Sequence, residues 1–115
     1  MGSGIDMVEI KRVERAAKSE RFLKRIFTAG EIAYSAKRKP PSKHLAGRFA
    51  AKEACIKALD RPGNLKWTEM EVVNAGSGRP LLKLHGEAAK ALGARKIFLS
   101  IAYTKYHALA IVTID

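Results

Sequence analysis

Two groups of residues in this chain are of the types that do chemistry. The first is Gly2-Ser3-Gly4-Ile5-Asp6, which puts a carboxylate two residues past a pair of glycines. The second lies in the stretch Gly47-Arg48-Phe49-Ala50-Ala51-Lys52-Glu53-Ala54-Cys55-Ile56-Lys57-Ala58-Leu59. At helical spacing Ala46, Ala50, Glu53 and Lys57 share a face, so a carboxylate and an ammonium project together above small alanines. Something can approach such a face closely. If Asp6 and Glu53 converge, they form a hard oxygen site that suits magnesium, which typically takes one or two carboxylates, substrate phosphate and waters. Lys57, one turn on, would then meet that phosphate. Each feature also has a plainer reading. Glu53 and Lys57 are spaced as an i, i+4 pair on an exposed helix, worth about 0.2–0.5 kcal/mol. A lone Asp in a first strand is equally a cap for a nearby helix.

Other chemistries find little support. His44, His85 and His107 are far apart, with no i, i+4 pair and no acidic cluster, which makes a poor histidine metal site. Nothing assembles a Ser-His-Asp or Cys-His arrangement, and Cys55, inside a helix, reads as a small buried hydrophobe. A single cysteine excludes an intrachain disulfide or a multi-cysteine zinc site and agrees with a reducing compartment. The charge is informative: 22 Lys+Arg against 11 Asp+Glu give +11, which calls for a negative partner. Residues 1–52 hold 13 basic and 5 acidic side chains, and residues 11–25 alone hold seven and two. Charge by itself does not separate nucleic acid, an acidic protein and a phosphorylated small molecule, since the same field draws all three.

These side chains need elements to position them. The alternation of residues 2–10 predicts a strand, and Ile10, Val13 and Ala17 predict an amphipathic helix with Lys11, Arg15 and Lys18 outward. A second helix is expected from Glu20 with Ser19 as its cap, and Thr28-Ala29-Gly30-Glu31 has capping-box spacing for a third, running to about Lys37. After the loop Lys39-Pro40-Pro41-Ser42, with Ser42 as cap, the longest helix is expected over 43–59, ended by Asp60-Arg61-Pro62-Gly63-Asn64. Residues 70–74, 81–84, 97–103 and 108–114 read as strands, and 87–92 as a small helix closed by Gly93. Helices crowd the first half and strands the second. The expectation is one α+β domain over residues 1–115 with a largely antiparallel sheet, whose apolar strand surface a chain of this length covers poorly. No apolar run approaches the roughly 20 residues of a membrane span, and the first residues lack the pattern of a signal peptide, so a soluble, cytoplasmic protein with no membrane partner is expected.

Five motifs carry a resemblance. Gly2 to Ile10, Phe27-Thr28-Ala29-Gly30-Glu31, Leu45-Ala46-Gly47-Arg48-Phe49-Ala50-Ala51-Lys52-Glu53-Ala54, Gly78-Arg79-Pro80, and Leu99-Ser100-Ile101 followed by Thr104-Lys105 resemble, in order and over essentially the whole chain, the motifs of the holo-(acyl-carrier-protein) synthases. The resemblance implies the 4′-phosphopantetheinyl transferase-like fold and magnesium-dependent transfer of 4′-phosphopantetheine from coenzyme A to a serine of apo-acyl carrier protein, releasing adenosine 3′,5′-bisphosphate. It implies homotrimers with shared sites. Carried over by motif, Asp6 and Glu53 would ligate magnesium, Lys57 would contact coenzyme phosphate, and Glu53 is the candidate base. Arg48, Pro80, Tyr103 and Thr104 would line the coenzyme site. Arg12, Arg15, Arg21 and Arg25 match the basic surface offered to the acidic carrier protein, apart from the chemistry. Two positions depart from the family pattern. Tyr103 stands where a histidine is usual, and a phenol donates a hydrogen bond to phosphate but is a poor base near neutral pH. The loop at 60–64 lacks the usual paired glycines. Two other readings compete: a small basic nucleic-acid-binding domain of ribosomal type, against which the 7% aromatic content and the lack of a base-stacking motif count, and a catalytically idle carrier-protein binder.

Overall fold

Strand β1 (Gly2–Glu9) has its smallest residues on one face, and the longest helix, α4 (Pro41–Leu59), lies directly on them. Gly2, Gly4, Asp6 and Val8 alternate toward the helix. A Cβ on Gly4 would run into the Ala54 carbonyl oxygen, and one on Gly2 into that of Ala58. The chain itself thus makes a close approach to α4, at Ala54 and Ala58, beside the face of Ala46 and Ala50 on which one was expected. Ala46, Ala50, Ala54 and Ala58 are buried, and α4 packs chiefly on β1 and on the last strand, β5 (His107–Ile114).

The computed structural model describes residues 1–60 and 62–115. Arg61, within the expected helix-ending segment, lies outside the described residues; α4 does end at Leu59. Between β1 and α4 come α1 (Ile10–Ala16), α2 (Glu20–Ile26) and α3 (Ala29–Ala36). After α4 come a single 3-10 turn (Trp67–Glu69), β2 (Met70–Asn74), β3 (Pro80–Leu84), α5 (Gly86–Leu92) and β4 (Ile97–Tyr103). The strands form two antiparallel sheets, a three-stranded one in the order β1-β5-β4 and the hairpin β2-β3. A largely antiparallel sheet was the expectation; the pairing is antiparallel throughout, but it is divided. None of the described helices is long and apolar enough to cross a membrane.

Local signals decide most boundaries. Ser19 caps α2 by accepting the Phe22 N–H, and Thr28 with Glu31 forms the full capping box of α3. Ser42 is not the cap of α4. Pro41 occupies the first helical turn, where its fixed φ and missing N–H cost nothing, so the helix starts earlier. Ser42 is buried instead, and its hydroxyl donates to Glu14 on α1 at 3.3 Å.

The capping glutamate has a second task. Glu31 is fully buried and accepts from the N–H of Thr28 (2.9 Å) and of Val72 (2.8 Å), while the equally buried Lys52 ammonium lies 2.8 Å away. Lys52 also donates to the Trp67 carbonyl at 3.1 Å. One ion pair thus ties α3, α4, β2 and the 3-10 turn together. On the other side of the large sheet the opposite alternation leaves apolar residues in solvent: Ile5 is 55% and Met7 63% exposed, and Phe98, Leu109 and Ile111 are exposed beside them.

Candidate active site

Asp6 lies in the middle of β1, opposite Ala110 of β5. Because it shares the face of Gly4 and Val8, its side chain points toward α4, where Glu53 is presented. Both carboxylates line one cavity of about 420 Å³, walled by Val8, Val13, Phe22 and Phe49. Burial first, then the negative charge of Asp6, push the Glu53 carboxyl above its usual range, with Lys57 opposing. Two carboxylates held against their own repulsion in a half-buried cleft suit a small divalent cation. With no cluster of three or more His, Cys, Asp or Glu among the described residues, the donor set matches magnesium shared with a substrate phosphate better than an all-protein cage.

Lys57 does not pair with Glu53. Its ammonium donates to the Ile5 carbonyl (2.9 Å) and stands 3.4 Å from Asp6 Oδ1. The helical spacing is present, but the strand packed against α4 offers better acceptors. Asp6 caps no helix either: the residue before α1 is Glu9, which makes no side-chain cap.

The arginines divide. Arg12, expected to stand apart from the chemistry, lines the cavity of Asp6 and Glu53. Arg15 points outward, 3.9 Å from Glu9. Arg21 is exposed on α2, and Arg25 lines a separate depression with Lys24, Leu65, Lys66 and Trp67. The Trp67 ring stacks on Phe49 at 5.5 Å between centroids, so the two depressions share an aromatic wall.

Arg48, Pro80 and Tyr103 meet elsewhere, around a cavity of about 170 Å³ completed by Tyr34, His44, Asn74, Gly78 and Ile101. Arg48 is 2% exposed; its Nη2 donates to Asn74 Oδ1 at 2.6 Å and its guanidinium covers the Tyr34 ring at 4.1 Å. A Cβ at Gly47 would collide with the Tyr103 hydroxyl, which shows how closely that ring lies against α4. Thr104 does not join this cavity. Its hydroxyl oxygen accepts from the N–H groups of Tyr106 (3.2 Å) and His107 (2.9 Å), which builds the turn between β4 and β5. Sequence reasoning missed Tyr34, His44 and Asn74. No local spacing marks them, because they come from three elements. Cys55 is buried and its thiol is pushed up to about 12, the state of an inert core residue.

Known proteins share both the sequence pattern and the architecture. Residues 2–112 match the model of the 4′-phosphopantetheinyl transferase superfamily. Holo-(acyl-carrier-protein) synthase of Solibacter usitatus is 40% identical, over 100% of this chain and 98% of the relative. That of Dehalococcoides mccartyi is 43% identical over 96% and 94%. Among solved structures, the Helicobacter pylori synthase in complex with coenzyme A has a TM-score of 0.85 and 30% identity, covering 98% of this chain and 99% of that one. The Chronobacterium ammoniagenes synthase–coenzyme A complex has a TM-score of 0.87 and 26% identity over 99% and 96%. Fold, motifs and full-length similarity agree: the chain belongs to the holo-(acyl-carrier-protein) synthases of the 4′-phosphopantetheinyl transferase superfamily.

Proposed function

We propose that this enzyme transfers 4′-phosphopantetheine from coenzyme A to a serine of apo-acyl carrier protein, releasing adenosine 3′,5′-bisphosphate, with magnesium held by Asp6 and Glu53. The observation that carries the reading is the cavity in which those two carboxylates and Arg12 converge. In the transfer the serine oxygen bonds to the pantetheine-bearing phosphorus as the anhydride P–O bond to the nucleotide breaks. Magnesium, when bound, supplies neutralisation of the phosphate charge. Lys57, already beside Asp6, is placed to contact a phosphate entering there. Glu53, whose carboxyl is held above its usual range, is the candidate acceptor of the serine proton. Arg48, Pro80 and Tyr103 line a second part of the coenzyme site. The test is direct: with coenzyme A and apo-carrier protein, the purified enzyme should add the pantetheine arm, read as a mass increase of the carrier, with magnesium and not with chelator. No mass increase in magnesium would overturn the reading.

Docking of the carrier falls to the basic rim. Arg15→Glu should raise the KM for carrier protein several-fold and weaken its salt dependence, while leaving the KM for coenzyme A unchanged. Arg12→Glu, inside the cleft, should lower kcat as well. Equal effects of Arg15→Glu on both substrates would refute the division of roles.

The assembly proposed is a homotrimer with shared sites. Arg48 and Glu53 are five residues apart on α4, roughly 140° around its axis, so their cavities open on different sides of the helix. That separation favours sites completed by a neighbouring copy. The exposed face of Ile5, Met7, Phe98, Leu109 and Ile111 is the surface such copies would cover. Ile5→Lys with Ile111→Lys should yield a monomer by light scattering with much reduced turnover. A wild-type enzyme that is monomeric under assay conditions would contradict the assembly.

A further inference from the structure

Cations crowd the cavity at Arg48. Among the described residues no carboxylate lines it. Arg48, buried in its wall, has no hydrogen-bond partner for Nε among the described residues. The Arg38 guanidinium also lies over the Tyr34 ring, at 4.0 Å, and the Lys43 ammonium stands 4.8 Å from the centre of the Tyr103 ring. Between the two tyrosines sits His44, its imidazole edge-on to Tyr34 at 5.9 Å and to Tyr103 at 6.0 Å. We propose that His44 is the proton-dependent contact of this cavity for a phosphate monoester dianion, neutral when the cavity is free and imidazolium when the dianion is present.

The groups that face His44 set this behaviour. Tyr34 and Arg38 approach from α3 and the chain just beyond it, Lys43 and Arg48 from α4, and Tyr103 from β4. The β2–β3 side supplies Asn74, Gly78 and Pro80, none of which titrates. Burial first, then Arg48, Lys43 and Arg38, hold the imidazole below its usual range, so the free cavity keeps its histidine neutral near pH 7. A phosphate monoester, with a second pKa of about 6, brings two negative charges and reverses that local field. The imidazolium then offers N–H donors from both ring nitrogens. A phosphodiester brings one charge and reverses the field less, so the device favours a phosphate monoester over a phosphodiester. The proposal rests on the coenzyme reading above only in taking the monoester to be that of coenzyme A.

The sign is fixed by proton uptake. Between the free and the bound midpoints of His44, affinity rises as pH falls, by at most about tenfold per pH unit for one proton. Below the free midpoint the gain ends. The test is a side-chain NMR titration of the three histidines, with the His44 signal assigned by its loss in His44→Phe, for the enzyme free, saturated with coenzyme A, and in inorganic phosphate. The His44 midpoint should lie below about 6.5 in the free enzyme and rise by at least about one unit with either probe. Because His44→Phe keeps an aromatic ring between the tyrosines, it should fold and bind coenzyme A without the extra pH dependence. Comparing its Kd profile with that of the wild type cancels ionisation of the ligand itself. A midpoint unmoved by both probes, or a His44→Phe profile parallel to the wild type, would overturn the proposal. A rise with inorganic phosphate in an enzyme that does not bind coenzyme A would uphold the anion contact and refute the coenzyme reading instead.

Discussion

Glu53→Gln is expected to lower kcat/KM for transfer by about three orders of magnitude, the middle of the range that one positioned carboxylate contributes, while leaving the unfolding midpoint unchanged or slightly raised. Glutamine keeps the helix propensity and almost the same volume, but it removes one of the two anionic oxygen donors facing the cavity. The stability sign follows from linkage. The folded-state pKa of Glu53 is raised by burial and by Asp6, so ionised Glu53 costs stability as pH rises through that range, and the amide does not carry this cost. On the role proposed for Glu53, the same shift should set the acid limb of activity. Turnover should fall at a higher pH than an ordinary glutamate would give, and added magnesium should move that limb to lower pH, because metal and proton compete for one carboxylate. Kinetics at two magnesium concentrations check both points. An acid limb indifferent to magnesium would remove Glu53 from the metal site.

Lys52→Met is expected to destabilise the fold by about 3–5 kcal/mol, because it leaves the Glu31 carboxylate buried without its cation. Set against a usual total of roughly 5–15 kcal/mol, that loss leaves the enzyme close to unfolding. The Glu31→Gln, Lys52→Met double variant should recover most of the loss. An amide oxygen still accepts the Val72 N–H, which Glu31 now receives at 2.8 Å, and no buried charge remains. Urea midpoints of the two variants decide the matter. A single variant as stable as the wild type would show that the pair contributes nothing. Loss in the double variant equal to that in the single would place the cost in packing and not in charge.

What the chain determines locally is legible in the amino-acid sequence alone. Ser19, the Thr28–Glu31 box and Gly93 act through neighbours three or four residues away, and period-two or 3.6-residue patterns survive whatever packs on them. The glycines with Asp6, and the helical Glu53, are legible as candidates for the same reason: they lie on elements whose period says which face each residue takes. Partners across elements are not. Glu31 reads as a capping residue and Lys52 only as one residue of a motif, yet they neutralise each other in the core, because the packing of α3 against α4 brings them within 2.8 Å. Lys57 has a sequence-perfect partner in Glu53 and turns instead to Ile5 and Asp6, since β1 passes beneath it. His44 carries no local signal at all. Its role is set by rings and cations that α3, α4 and β4 bring together, and Coulomb and desolvation forces act through space without regard to separation along the chain.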